Sequence, residues 1–317
     1  MKYEKNENIQ VVGFMGKFGF YARKMFPQLC SKMYLGYIRK KTERTNKEYI
    51  EYVMNQKEKK PLFIHLETIN RCNGICSFCP CNKNEDKRSL KIMEKTLFHK
   101  VLDDLVEHNY EGILMLNANC EPFLDKRMPE LIDEATKKLP NAQHILFSNG
   151  TLITQEILEK IAGKLDVLYI NNYSEKYEFN ESSKRIYDYV VNNREKFGKM
   201  KVQIEFRYAN EVLTNKGGMA PNKKNTQKIY TNLCPNPYTE TVIYPDGTVG
   251  LCCNDNYEIT NFGNVGENSI FEVFNNDKIN SVRERMRTGR NHYEFCQYCD
   301  FVSKGGRRQR WIKTGRE

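Results

Sequence analysis

The 317-residue chain is 39% apolar, 12% aromatic and 28% charged, with a formal net charge of +10, a composition that fits a globular fold with one large domain and a smaller one. No apolar run approaches the roughly 20 residues of a bilayer span; the opening "MKYEKNENIQ" is polar and the stretch after it is broken by Lys17, Arg23 and Lys24, so no signal peptide is read and a cytoplasmic location is expected. Eleven cysteines, an odd count for a reducing compartment, argue against a disulfide scaffold and for metal binding.

In chain order, residues 1–58 read as a basic helical extension interrupted at Pro27; residues 1–60 hold 14 Lys/Arg against 6 Asp/Glu. Its dense Phe14, Phe18, Phe20, Tyr21, Met25, Phe26 and Leu29 predict packing on the main body. Strand and helix then alternate over 60–212. "PLFIHLE" reads as a strand and "MEKTLFHKVLDDLVEHN" as a helix with Leu97, Val101, Leu102 and Leu105 on one face. "GILMLNA", "QHILFS", "DVLYINN" and "KVQIEFR" are further strands, separated by the helical "MPELIDEATKKL", "TQEILEKIAGKL" and "SSKRIYDYVVNNREKF". That alternation predicts an α/β partial barrel of five or six parallel strands joined by right-handed crossovers. Residues 213–233, rich in Asn, Lys and Gly, read as a linker. "TETVIYPDGTVGLCC" reads as a hairpin turning at Pro245-Asp246-Gly247, the start of a small β-hairpin/α domain over 234–301, and 302–317 as a basic tail.

Directly after the first barrel strand comes "ETINRCNGICSFCPCN", where Cys72, Cys76 and Cys79 follow a C-x3-C-x2-C spacing. In parallel barrels chemistry sits at the C-terminal strand ends. Three thiolates leave one position of a cubane open, whereas a four-cysteine zinc site is closed; a zinc knuckle completed by Cys81 or a distant His is the alternative. With Phe78 as the aromatic before the last cysteine, the stretch resembles the signature of radical S-adenosylmethionine (SAM) enzymes. The resemblance implies a SAM-binding [4Fe–4S] cluster, reductive cleavage of SAM to a 5′-deoxyadenosyl radical, hydrogen abstraction from a substrate, and an electron donor such as flavodoxin or ferredoxin. It also implies SAM contacts from Phe78, from Asn119, Cys120 and Glu121 in "LNANCEPFLDKR", from Ser148 and Asn149 in "FSNGTLIT", and from Arg207 at the end of the fifth strand. Where the family usually has two glycines, this chain has Asn119 and Cys120. A Gly-terminated strand–helix turn is the structural reading of "FSNGTLIT".

The second cysteine set reads as four ligands from a hairpin and a later loop: Cys234, Cys252, Cys296 and Cys299. It is similar to the SPASM and twitch modules, and the lack of cysteines after Cys299 matches the shorter twitch form with one auxiliary [4Fe–4S] cluster; a zinc ribbon is the alternative. Cys253 is the spare thiol: inert, a replacement ligand, or a catalytic hydrogen-atom donor. Cys30, Cys81 and Cys120 read as packing residues, and His65 as packed within its strand. The resemblance implies oxidation of a sugar, polyol or aminocyclitol carbinol. The alternatives are epimerisation through Cys253, ribosomal-peptide modification, and a non-catalytic cluster or zinc protein that binds RNA through basic ends; nucleic acid is not the expected partner.

Overall fold

In a computed structural model the described residues are 8–12, 16–208, 210–223 and 228–303; Phe14 and most of the basic tail lie outside them. An eight-stranded sheet runs in the order β1-β6-β5-β4-β3-β2-β7-β8. The five strands read from sequence form its middle: β2 (Phe63–Leu66), β3 (Ile113–Met115), β4 (Gln143–Ser148), β5 (Val167–Tyr173) and β6 (Lys201–Arg207), all parallel. Each edge is extended. On one, β1 (Ile9–Val12) pairs parallel with β6; on the other, β7 (Glu240–Ile243) pairs parallel with β2 and turns back antiparallel into β8 (Val249–Gly250). The hairpin is the one expected. Gly247 has φ +84°, a conformation that suits glycine, and Tyr244 N–H donates to the Thr248 carbonyl at 2.9 Å.

Helices α1 (Gly16–Met25) and α2 (Pro27–Met54) form the N-terminal extension, with Pro27 opening the second helix, where its missing N–H costs nothing. The crossovers carry α3 (Lys95–Glu107), α4 (Met128–Lys138), α5 (Gln155–Ile161), α6 (Glu181–Asn192) and α7 (Arg194–Phe197). The C-terminal part adds α8 (Asn236–Thr239), α9 (Ile270–Asn275) and α10 (Asp277–Met286). Side chains cap several starts: Thr154 on α5, Asn180 on α6, and a reciprocal Ser269–Glu272 box on α9.

Strand alternation splits the sheet into two faces. Ile64, Leu66, Leu114, Leu146, Leu168, Ile170, Val202 and Ile204 face the crossover helices and share one core with Leu102, Leu105, Leu131 and Ile186. The inner face begins as a small apolar floor of Phe63, Ile113, Met115, Ile145, Val167 and Tyr169 and becomes polar toward the C-terminal strand ends.

The extension packs differently from the expectation. Tyr49, Ile50 and Val53 of α2 bury against Tyr238, and Phe20 is buried. Phe18, Met25, Phe26 and Leu29 instead stand 55–75% exposed. Their density exceeds what the one body-facing stripe of each helix can bury.

Candidate active site and cluster sites

Along β2, Phe63 lies on the inner face, and alternation puts His65 and Glu67 there too. The chain then leaves the strand's C-terminal end through loop 67–82. Asn82 ties this loop: its Nδ2 donates to the carbonyls of Cys76 and Cys79, and its Oδ1 accepts from the N–H groups of Asn84 and Glu85. Cys79 N–H closes a turn on the Cys76 carbonyl at 3.0 Å. Gly74 N–H points at Cys72 Sγ at 3.3 Å, and a Cβ at Gly74 would sit 3.3 Å from Cys72 Sγ and 3.9 Å from Cys76 Sγ.

Burial pushes the Cys72 thiol up to about 12 and the Cys76 thiol up to about 11, and it raises Cys79; Cys72 feels both Cys79 and Cys76 as neighbouring charges, and Cys76 feels Cys79. A cationic metal centre removes that penalty by taking the thiolates as ligands. Three thiols brought together on one loop fit a three-thiolate cluster site.

The residues expected to meet SAM fall into two groups around this loop. Glu121 is 2% exposed; its carboxylate accepts from Phe123 N–H, Ser148 Oγ at 2.8 Å and Asn149 N–H at 2.8 Å. Burial raises its pKa against those bonds. Glu121, Ser148 and Asn149 are therefore one bonded unit joining the ends of β3 and β4. Asn149 Nδ2 donates to Asn73 Oδ1 at 2.8 Å, on the cysteine loop. Gly150, at φ +77°, does make the turn there, with an added Cβ 3.1 Å from Ile170 and Ile186, so the turn and the approach to the cysteines coexist. In the second group, Phe78 is buried beside Tyr173 at 6.1 Å, and the Arg207 guanidinium lies 5.5 Å from the Phe78 ring. Arg207 is held by Glu211 at 2.5 Å, and Glu211 also pairs with Arg23 of α1 at 3.4 Å.

Asn119 N–H donates to Glu67 Oε1 at 3.1 Å, and Cys120, whose thiol burial raises well above its ordinary range, feels the charges of Glu67 and Cys72. Glu67 itself, 1% exposed, has its carboxyl pushed up to about 7 by burial. The sequence reading passed over it; the alternation of "FIHLE" was the available signal.

Cys234, Cys252, Cys296 and Cys299 line one pocket with Arg290, Phe295 and Phe301, and all four are 6–7% exposed. Four converging buried thiols fit a closed four-thiolate site. Arg290, 1% exposed, donates to the carbonyls of Asn232, Leu233 and Cys299. It clamps two strands of chain that bear ligands and supplies positive charge beside the sulfurs. Nothing in the sequence marked it out from the other arginines.

Cys253 does not line that pocket. Its thiol, the Glu240 carboxylate and the His65 imidazole have ligand atoms within 4.8 Å of one another. Glu240 Oε1 accepts from Cys253 N–H and from Asn236 Nδ2, while Oε2 lies 3.7 Å from His65 Nε2. Burial opposes ionisation of Glu240, but His65 and the Cys253 N–H outweigh it and hold the carboxyl below its ordinary range. Burial and the Glu240 charge keep the Cys253 thiol protonated. Lys216, within the segment read as a linker, acts electrostatically on both Cys79 and Cys253. Cys81, 1% exposed, contacts the Asn256 carbonyl at 3.4 Å, and Tyr257 donates to Pro80, so the two cysteine-bearing loops are joined directly.

Residues 66–190 match the radical SAM superfamily, and residues 234–300 match the SPASM iron-sulfur cluster-binding domain. A curated relative from Niallia circulans, S-adenosyl-L-methionine-dependent 2-deoxy-scyllo-inosamine dehydrogenase, is 25% identical over 244 residues, covering 76% of this chain and 93% of that protein. Among solved structures, BtrN in complex with AdoMet and 2-DOIA superposes with a TM-score of 0.64 at 22% identity, covering 78% of this chain and all of that one. Native anSMEcpe with bound AdoMet gives 0.50 at 13% identity over 75% of this chain and 93% of its own. These structural likenesses establish the shared fold.

Proposed function

This chain is a radical SAM enzyme with a SPASM-like auxiliary cluster module, and from that premise we propose that it dehydrogenates a carbinol carbon of an aminocyclitol, sugar or polyol. The substrate in the relative's name, 2-deoxy-scyllo-inosamine, is an aminocyclitol and supports that class. Cys72, Cys76 and Cys79 would hold the SAM-binding cluster, and Cys234, Cys252, Cys296 and Cys299 the auxiliary one. When bound, SAM and its cluster supply a hydrogen-abstracting radical, drawing one electron from a low-potential donor of the flavodoxin or ferredoxin class, and the auxiliary cluster supplies a one-electron acceptor.

The protein's own groups orient and enclose. In this reading Phe78, Asn119, Cys120, Glu121, Ser148, Asn149 and Arg207 form the SAM cradle, with the Glu121–Ser148–Asn149 unit fixing two strand ends as one wall. Asn82 holds the cysteine loop in shape, keeping its three half-buried thiols at the C-terminal end of β2. The substrate loses one hydrogen atom from carbon, then one proton and one electron, leaving a carbonyl.

One observation carries oxidation over epimerisation. The auxiliary pocket is lined by four thiols, a complete ligand set, and Cys253 lies outside it, bound up with Glu240. Epimerisation would need Cys253 to return hydrogen to carbon. The test is turnover in deuterated water with native enzyme and Cys253→Ala. Dehydrogenation predicts a two-electron-oxidised product from both, with no solvent deuterium on carbon. Deuterated, unoxidised product from the native enzyme alone makes Cys253 the hydrogen donor and overturns the reading.

A further inference from the structure

Between Gly16 and Thr42 the sequence holds seven basic residues, Lys17, Arg23, Lys24, Lys32, Arg39, Lys40 and Lys41, and no acidic one. Arg23, Lys24 and Arg39 are engaged by the protein: Arg23 pairs with Glu211, Lys24 with Glu175, and Arg39 lies over Tyr230. Lys17, Lys32, Lys40 and Lys41 are exposed, Lys41 with its Nζ 5.7 Å from the Tyr37 ring of the same helix. Interleaved with them are Phe18, Met25, Phe26, Leu29, Met33 and Tyr37, each 55–75% exposed. Among the described residues these are six of fourteen exposed large apolar side chains, gathered within 20 residues, whereas the other eight are spread from Ile75 to Tyr298.

The six do not face the body. Leu29, Met33 and Tyr37, each four residues apart, lie on one face of α2 with Phe26 at its N-cap, and the opposite face buries Ser31, Leu35, Ile38 and Thr42. At about 100° per residue, Lys40 falls within the apolar stripe, with Lys32 on one flank and Lys41 on the other. The stripe from Phe26 to Tyr37 is about 16 Å long at 1.5 Å per residue, and Phe18 and Met25 of α1, seven residues apart, share a face of their own helix.

We propose that this face of α1 and α2 docks the enzyme on an anionic lipid surface, with the apolar stripe at the headgroup–acyl boundary and the lysines against lipid phosphates. An amphipathic, basic helical face with aromatic, Met and Leu side chains is the chemistry such a surface binds. A second copy of the chain fits poorly, because pairing the face with itself would set lysines against lysines, with the first acidic residue, Glu43, only beyond the apolar stripe. No helix among the described residues is long and apolar enough to cross a membrane, so contact would be peripheral.

The experiment is co-sedimentation of the full-length, iron-loaded protein with vesicles of phosphatidylcholine alone or with about one third phosphatidylglycerol. The bound fraction should be about tenfold higher on the anionic vesicles and fall severalfold between about 0.05 M and 0.5 M salt. Leu29→Asp/Met33→Asp should lose that binding with iron content and circular dichroism unchanged, and so should Lys32→Gln/Lys40→Gln/Lys41→Gln, which leaves the apolar stripe intact. Equal binding to both vesicle types, none to the anionic ones, or native-like binding by a folded variant overturns the proposal. So does light scattering that shows a dimer dispersed by the aspartate substitutions while no vesicles are bound, since the face would then be a contact between copies.

Discussion

Glu67 sits one residue past β2 on the inner face, and its ionisation is set by burial. A free glutamate titrates near 4.5, and in the fold this carboxyl titrates near 7. Between those values the folded chain keeps a proton that the unfolded chain releases. Its contribution to stability is therefore full below about pH 4.5 and is lost as pH rises through 7, an effect of at most about 3 kcal/mol. Glu67→Gln, which mimics the protonated form, should flatten the dependence of urea midpoint on pH between 4.5 and 7.5 and raise the midpoint at the upper end. An unchanged slope would assign the titration to another group. Arg290 makes a second residue-scale case. Replacing it with Met strands three carbonyls, one of them on Cys299, at a cost of roughly 3–5 kcal/mol. Arg290→Met should then lose the auxiliary iron while SAM-cluster iron stays, measured by iron content against the absorbance of each site. Arg290 was not legible beforehand, because its role depends on what folds over it, and the alternation of "FIHLE" could place Glu67 on the inner face but not show its burial.

At the level of elements, the five middle strands and their crossover helices could be read from apolar periodicity, and the hairpin from Pro245-Asp246-Gly247. The edges could not. β1 is four residues, too short for a period-2 signal to stand out, and it becomes a strand because β6 offers it a free edge. β7 was recognised as half of a hairpin, but its parallel pairing with β2 is a long-range choice that no local pattern records. The helical extension was visible as helix and was expected to pack on the body, but apolar density says nothing about which face meets the body. What it does bury still matters. Tyr49, Ile50 and Val53 lie at 0–3% exposure, and removing them forfeits roughly 1.5–3 kcal/mol apiece, comparable in sum to the whole stability of a domain. Deleting residues 1–58 also bares the β6 edge. The truncated protein should be insoluble or unfold well below the native midpoint, read as soluble yield and thermal melting; an unshifted melt would show that the extension is an appendage.

Across the whole molecule, the cysteines were the part of the site most open to sequence reading. Ligand spacing is local within each loop, and the fold brings Cys234 and Cys252 of the hairpin to Cys296 and Cys299 of the last loop. The space between the two sites was not open to it. His65, Lys216 and the hairpin that carries Glu240 and Cys253 come from three separate segments, and only the closing of β7 against β2 brings His65 to Glu240. The two cysteine sets are physically separate, the first half-buried and the second buried, yet their loops touch through Cys81–Asn256 and Pro80–Tyr257. That architecture makes a quantitative claim. Seven cysteines in sets of three and four should bind two cubanes, about eight irons per chain after anaerobic reconstitution. Because the pocket of Cys234, Cys252, Cys296 and Cys299 includes no cysteine of the first loop, a Cys72→Ala/Cys76→Ala/Cys79→Ala variant should keep about half the iron and form no 5′-deoxyadenosine from SAM. Iron analysis and product chromatography on the same sample decide it. Loss of all the iron would mean that the first loop is needed to build the second site, zinc in place of the remaining iron would make that site a zinc ribbon, and retained SAM cleavage would remove the three-cysteine loop from the chemistry altogether.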